Sequence, residues 1–224
     1  MPERALGVFG GTFDPVHFGH LRLAEEAADA LDLGAVRWIP AGQPALREKP
    51  QVSAAQRLEM VRLAIAGNAR FEIDSAEVDA QQTSYTVPTL ERLRDETACG
   101  RQRPLVLIVG ADAFAGIADW HRWEKLIFLA HIAVAQRPGA PLALASLPPP
   151  LQRLWQEHYA ADPAELSAAP AGRIVTFAMT QLDISATAIR CLLSNQSSAR
   201  YLTPESVLSY IRDHALYQQD LPLK

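Results

Sequence analysis

His17 and His20 stand three residues apart, close behind Gly10-Gly11-Thr12-Phe13 and directly behind the Asp14-Pro15 turn. Positions three apart on a helical turn lie on one side. Two imidazoles so placed can donate hydrogen bonds to a single phosphate group, and histidine can carry charge near neutral pH. Leu6, Val8 and Phe9 read as a short buried strand running into the glycine pair, whose missing Cβ atoms permit a tight turn and close approach of a ligand. An apolar-periodic segment then opens near Gly19 and sends Leu21, Ala24, Ala27, Ala28 and Leu31 toward one face. The histidines therefore open a helix, where free N–H groups and the positive end of the macrodipole favour anions. A structural turn with capping or surface histidines is the plainer reading, and the clustering of both turns and both histidines weighs toward phosphate. Zinc is disfavoured: no cysteine pair or third ligand stands nearby, and structural zinc takes four ligands.

A second polar constellation is Asp183-Ile184-Ser185-Ala186-Thr187-Ala188-Ile189-Arg190. Ser185 is a good N-cap, Thr187 follows two residues on, and Arg190 comes a turn later. Hydroxyls and backbone N–H groups followed by a guanidinium fork can grip a phosphate. The same string also fits a plainly capped helix with a surface arginine. Gln82-Thr83-Ser84-Tyr85-Thr86 precedes a helix carrying Leu90 and Leu93, and reads either as a plain N-cap by Ser84 or Thr86 or as a second ligand-facing helix N-terminus able to hydrogen-bond a polar ring or carboxylate. Leu105–Gly110 is a continuous apolar run that belongs in the centre of a sheet buried on both faces. Asp112 behind it could cap a helix, or accept bonds from ribose hydroxyls. Trp120 and Trp123 stand three apart beside charged residues, and an indole there could stack on a flat ring.

These elements must be positioned by alternating strands and helices. Further strands are expected at Ala35–Pro40, Phe71–Asp74, Ile132–Ala135 and Arg173–Ala178. Ser53-Ala-Ala-Gln56 is a capping box that opens a helix with Leu58, Val61 and Ile65, and Arg57 lies in its second turn. Alternation of this kind predicts a mostly parallel α/β sheet of five to six strands, with its ligand crevice at the carboxyl ends of the strands. Two loops there carry basic residues: Arg47 and Lys49 between Ala41 and Gln51, and Arg137 after the fifth strand. Residues 139–172 are rich in alanine and proline and read as an insertion into a single domain, packed on the sheet or on a partner subunit. Thr203-Pro204-Glu205 predicts a threonine-capped terminal helix with proline at its first position.

Composition sets bounds. The chain has 224 residues, 49 % of them apolar, so a sizeable core is possible. A net charge of −4, with 21 Lys and Arg dispersed among 25 Asp and Glu, argues against a nucleic-acid-coating protein. No apolar run approaches the roughly 18 residues of a membrane span, and Met1-Pro-Glu-Arg-Ala5 does not read as a signal peptide. Cys99 and Cys191 are far apart and in no metal spacing, which fits reduced thiols in the cytoplasm.

The string Gly10-Gly-Thr-Phe-Asp-Pro-Val-His17-Phe-Gly-His20 closely resembles the signature of the H-x-G-H nucleotidyltransferase superfamily, and in particular that of the bacterial nicotinate-nucleotide adenylyltransferases. Ile184–Arg190 is similar to a second motif of that family, with Ala186 where serine is common. Gly110-Ala-Asp112 matches its Gly-x-Asp element, Thr83–Thr86 a motif at its nicotinate pocket, and Trp120 its stacking tryptophan. The family's loop histidine is replaced here by Leu46 in Pro44-Ala-Leu-Arg47, which leaves Arg47 as the basic match. The resemblance implies a Rossmann-like fold and adenylyl transfer from ATP to nicotinate mononucleotide, giving deamido-NAD and pyrophosphate, with Mg²⁺ bridging the phosphates. It implies catalytic roles for His17, His20 and Arg190. The ATP site would add Gly10, Gly11, Thr12, Phe13, Asp112, Ile184, Ser185 and Thr187; the acceptor site would use Arg47, Tyr85, Thr86, Trp120 and Arg137. The alternatives are a related transferase acting on phosphopantetheine or another phosphate acceptor, and an ATP-binding module without chemistry. A homo-oligomer is compatible with the sequence.

Overall fold

The computed structural model describes residues 4–45, 49–96, 102–136, 139 and 142–218. In chain order the elements are β1 (Leu6–Gly11), α1 (Phe18–Ala30), β2 (Ala35–Pro40), β3 (Gln43–Pro44), α2 (Ala54–Ile65), β4 (Phe71–Ile73), α3 (Ala76–Asp79), β5 (Thr83–Ser84) and α4 (Thr86–Asp95). There follow β6 (Leu105–Gly110), α5 (Ala111–Ala115), α6 (Leu126–Leu129), β7 (His131–Gln136), α7 (Pro149–His158), β8 (Ile174–Ala178), α8 (Ala186–Ser194) and α9 (Glu205–Asp213). Six strands form one sheet in the order β4-β2-β1-β6-β7-β8, and every pairing is parallel.

Both faces of this sheet are covered, as an all-parallel sheet requires. Side chains alternate along each strand, so Val106 and Ile108 of β6 join one core while Leu105, Leu107 and Val109 join the other. The first core is closed by α1, α2 and α9 through Leu23, Ala24, Met60, Val61, Val207 and Ile211. The second is closed by α4, α6 and α7 through Leu90, Leu93, Leu126, Ile127, Leu151 and Trp155. In α1 the buried stripe is Leu23, Ala24, Ala27 and Ala28, while Leu21 is only partly buried. The three alanines let this helix lie close to the sheet.

The chain winds outward from β1 through β2 to β4, then returns to β6 and winds the other way through β7 to β8. The switch point lies between β1 and β6, where α/β sheets bind ligands beyond their strand ends. Both strands end there in glycine. A Cβ at Gly10 would meet only a carbonyl at 3.9 Å, and one at Gly110 would meet nothing within 4 Å.

The described part of residues 139–172 runs between β7 and β8, where Leu147, Leu151 and Trp155 enter one core and Ala160 and Leu166 the other. Two local expectations are corrected. A small parallel pair, β3 with β5, joins two segments read as loop and cap; two-residue strands leave no periodicity to read. The terminal helix is capped at Pro204, so proline does not occupy its first helical position. Thr203 is buried, and its hydroxyl donates to the carbonyl of Val16 at 2.8 Å. Among the described residues no helix is long and apolar enough to cross a membrane.

Thr203 thus pins the chain just ahead of His17. Replacing the hydroxyl by a methyl of equal shape leaves a buried carbonyl without its donor. Thr203→Val should lower the unfolding free energy by about 1–3 kcal/mol, measured by urea denaturation.

Candidate active site

The site is built around the loop between β1 and α1. Phe13 adopts φ +52°, in the left-handed region that non-glycine residues seldom occupy. Its ring is buried against Phe9, Trp38 and the imidazole of His20. That packing holds the turn, and Gly11 permits it, since a Cβ there would come within 2.8 Å of the Phe13 ring.

His17 is the N-cap of α1 and His20 its third residue. The His20 Nδ1 accepts from the backbone N–H of His17 at 3.2 Å. When neutral, His20 therefore carries its proton on Nε2. The two rings stack with centroids 3.7 Å apart. Gly19 makes room for this stack: a Cβ there would lie 3.0 Å from the His17 ring. Burial lowers the His17 pKa to about 4. His20 is held well below its ordinary value by burial and by the neighbouring His17. In the free protein both rings are thus neutral at pH 7. The Nδ1 of His17 is buried without a hydrogen-bond partner.

Asp14 gathers the rest. It is 5 % exposed, and its carboxylate accepts from the Tyr217 hydroxyl at 2.7 Å and from the backbone N–H of Gln51 at 2.9 Å. Its carbonyl accepts from Arg190 Nη1 at 2.7 Å, and Arg190 Nη2 reaches the Thr187 hydroxyl at 3.3 Å. Burial and the adjacent carboxylate push the Tyr217 hydroxyl far above its usual pKa, so it stays a donor. Ser185 caps α8 as expected, accepting from the N–H of Ala188 at 3.1 Å. Ser185 and Thr187 are exposed, Ile184 and Arg190 half-buried. The carbonyl of Ile184 lies 3.7 Å from the Cβ position of Gly19, so the N-termini of α8 and α1 adjoin. His17, His20 and Arg190 thus surround one loop.

The remaining expected residues divide. Thr86 is the first residue of α4, whose N-cap is Tyr85 rather than Ser84 or Thr86. Ser84 instead accepts from the N–H of Gly42 at 2.8 Å. Tyr85 packs on His121 with ring centroids 4.7 Å apart. Gly110, not Asp112, is the N-cap of α5; Asp112 is exposed in the helix's first turn. Trp120 and Trp123 are both half-buried against the second core, so burial does not separate a stacking indole from a packing one. Arg47, Leu46 and Arg137 lie outside the described residues. Sequence reasoning gave no site role to Tyr217, Arg57 or the carboxylate of Asp14. Their partners lie 15 to 203 residues away, and only an unusual burial of polar types could have marked them.

A parallel sheet switching direction between two glycine-ended strands, with paired helix N-termini and histidines at that point, defines a nucleotide-handling α/β protein. The family model described as cytidylyltransferase-like matches residues 8–192. A probable nicotinate-nucleotide adenylyltransferase of Dechloromonas aromatica is 63 % identical over 95 % of this chain and 97 % of its own. One of Pseudomonas paraeruginosa is 46 % identical over 96 % and 98 %. The chain belongs to the cytidylyltransferase-like family and, within it, to the nicotinate-nucleotide adenylyltransferases. In fold it is similar to the nicotinic acid mononucleotide adenylyltransferase of Plasmodium falciparum complexed with NaAD, with a TM-score of 0.69, 13 % identity and coverage of 96 % and 98 %.

The depressed His17 pKa fixes a pH dependence. Between pH 6.5 and about 4 the unfolded chain binds a proton at this residue and the folded one does not. Stability therefore falls as pH drops through that window, by on the order of 3 kcal/mol from this group. Urea melts at pH 7 and pH 4.5 should show a smaller acid loss in His17→Asn than in the parent.

Proposed function

We propose that the protein transfers the adenylyl group of ATP to the phosphate of nicotinate mononucleotide in the cytoplasm. A phosphate oxygen of the mononucleotide attacks the α-phosphorus of ATP. The bond from that phosphorus to the bridging oxygen breaks, and pyrophosphate leaves with the electron pair. Such a reaction asks a protein mainly for placement and charge stabilisation. The juncture of the α1 and α8 N-termini, tied by Arg190 to Asp14, carries this reading.

His17 and His20 donate to the phosphates as neutral imidazoles, His20 through Nε2 because Nδ1 is engaged by backbone. Arg190 is aimed by Asp14 and Thr187 and grips the β- and γ-phosphates. Ser185 accepts from Ala188 and keeps its own proton to donate to a phosphate oxygen. Gly10, Gly11, Thr12 and Phe13 line the turn, and Asp112 receives the ribose. Tyr85, Thr86 and Trp120 bound the nicotinate ring, with Arg47 and Arg137 supplying positive charge. Among the described residues no group of three or more His, Cys, Asp or Glu could hold a metal ion. Asp14 already accepts through both carboxylate oxygens. Mg²⁺ would accompany the ATP phosphates without a dedicated protein cage and would supply charge neutralisation there.

Pyrophosphate release with nicotinate mononucleotide, its amide and phosphopantetheine tests the assignment. Release should be fastest with nicotinate mononucleotide. Fastest release with phosphopantetheine would reassign the acceptor, and none with any candidate would favour a binding module. His20→Ala should lower turnover by about 10²–10³, the effect of one lost transition-state donor; turnover close to that of the parent would remove His20 from the mechanism.

A further inference from the structure

Arg57 is a fully buried cation outside the residues that would touch substrate. It sits in α2, is 1 % exposed, and donates from its two terminal nitrogens to two different loops. Nη1 donates to the carbonyl of Thr12 at 2.7 Å, and Nη2 to the carbonyl of Gly42 at 2.8 Å. Thr12 belongs to the phosphate loop after β1. Gly42 opens the loop after β2, which leads into β3.

The sheet itself does not join these points. The last direct link between the two strand ends is the Ala41 N–H donating to the carbonyl of Gly11 at 2.9 Å. Beyond it the chains diverge, and Arg57 provides a further tie. Gly42 is held from its other side as well. Its N–H donates to the Ser84 hydroxyl, at the end of the β5 strand that precedes α4. A Cβ at Gly42 would lie 2.2 Å from the carbonyl of Glu77, so the backbone of α3 also presses on this point. One residue is thus clamped between the arginine that grips the phosphate loop and the serine that adjoins Tyr85 and Thr86.

We infer that Arg57 is a positioning residue that sets the separation of donor and acceptor by bridging the loop that holds ATP to the loop that frames the mononucleotide. The inference rests on the functional reading above. Its physical basis is that transfer between two bound substrates depends steeply on their mutual placement, while each can bind alone without it. The planar fork suits the task, because its two nitrogens have fixed spacing and the two carbonyls are held in that register. Its Nε has no partner, so these two bonds define where the group sits. The nearby Asp14 carboxylate offsets its buried charge.

Arg57→Lys keeps a cation beside Asp14 and removes the fork; Arg57→Met removes both. In each variant kcat per folded molecule should fall by about 10–10² while the Kd of each substrate measured alone shifts less than about threefold. Lysine should recover part of the loss seen with methionine. A merely structural arginine would instead lower the melting temperature and leave kcat per folded molecule unchanged in Arg57→Lys, and that result overturns the inference. Hydrogen exchange gives a readout independent of the acceptor. A non-hydrolysable ATP analogue should slow amide exchange at both Phe13 and Gly42–Gln43 in the parent, and only at Phe13 in Arg57→Lys. Slowing at both places in the variant contradicts the bridge. Coupled exchange in a parent that does not turn over nicotinate mononucleotide upholds the bridge and sinks the choice of acceptor.

Discussion

The buried carboxylate of Asp14 is the constraint on which the rest depends. One residue receives a hydroxyl from the end of the described chain, an N–H from the approach to α2, and through its carbonyl a guanidinium from α8. A buried anion is costly unless paired and hydrogen-bonded. Here it has two donors on its oxygens and a guanidinium close by, with Arg190 Nη1 3.9 Å from Oδ2. Removing any partner leaves charge exposed to a dry interior. The loop that follows β1 therefore cannot relax independently of the helices that contribute phosphate-facing groups.

From that constraint follows a division of labour. Groups that face inward are fixed by their hydrogen bonds: Tyr217 on Asp14, Arg57 on two carbonyls, Thr203 on Val16. Groups at the rim keep capacity in hand. Ser185 retains a hydroxyl proton, His20 an Nε2 proton, and Gly10 of β1 and Gly110 of β6 offer backbone with open space above it. The histidine pair is neutral while the site is free, because two stacked and buried rings resist protonation. The free site thus carries no fixed positive charge on this pair, and the fold avoids burying two cations beside Arg190.

The alternating pattern of the chain revealed the architecture because its signals are local. Leu105–Gly110 is continuously apolar since both of its faces are buried, and Ser53 with Gln56 closes a capping box within one turn. The helix starts at His17 and Ser185 were readable for the same reason. What escaped reading is set by distant partners. Thr203 has the sequence of a cap but spends its hydroxyl on Val16, 187 residues away. Ser84 likewise looks like a cap and instead holds Gly42. Arg57 looks like a charged residue on an amphipathic helix, yet it is among the most buried side chains in the described chain. The charge state of the histidine pair was not legible, because ring stacking and burial depend on Phe13 and Gly19, not on spacing.

The crystal structure of the complex with a non-hydrolysable ATP analogue tests most directly whether Asp14 assembles one polyphosphate site. The account predicts phosphate oxygens within about 3.2 Å of the imidazoles of His17 and His20 and of the Arg190 guanidinium, all on a single triphosphate. A triphosphate seated elsewhere, or one that touches the histidines while Arg190 stays turned away from it, would contradict the account.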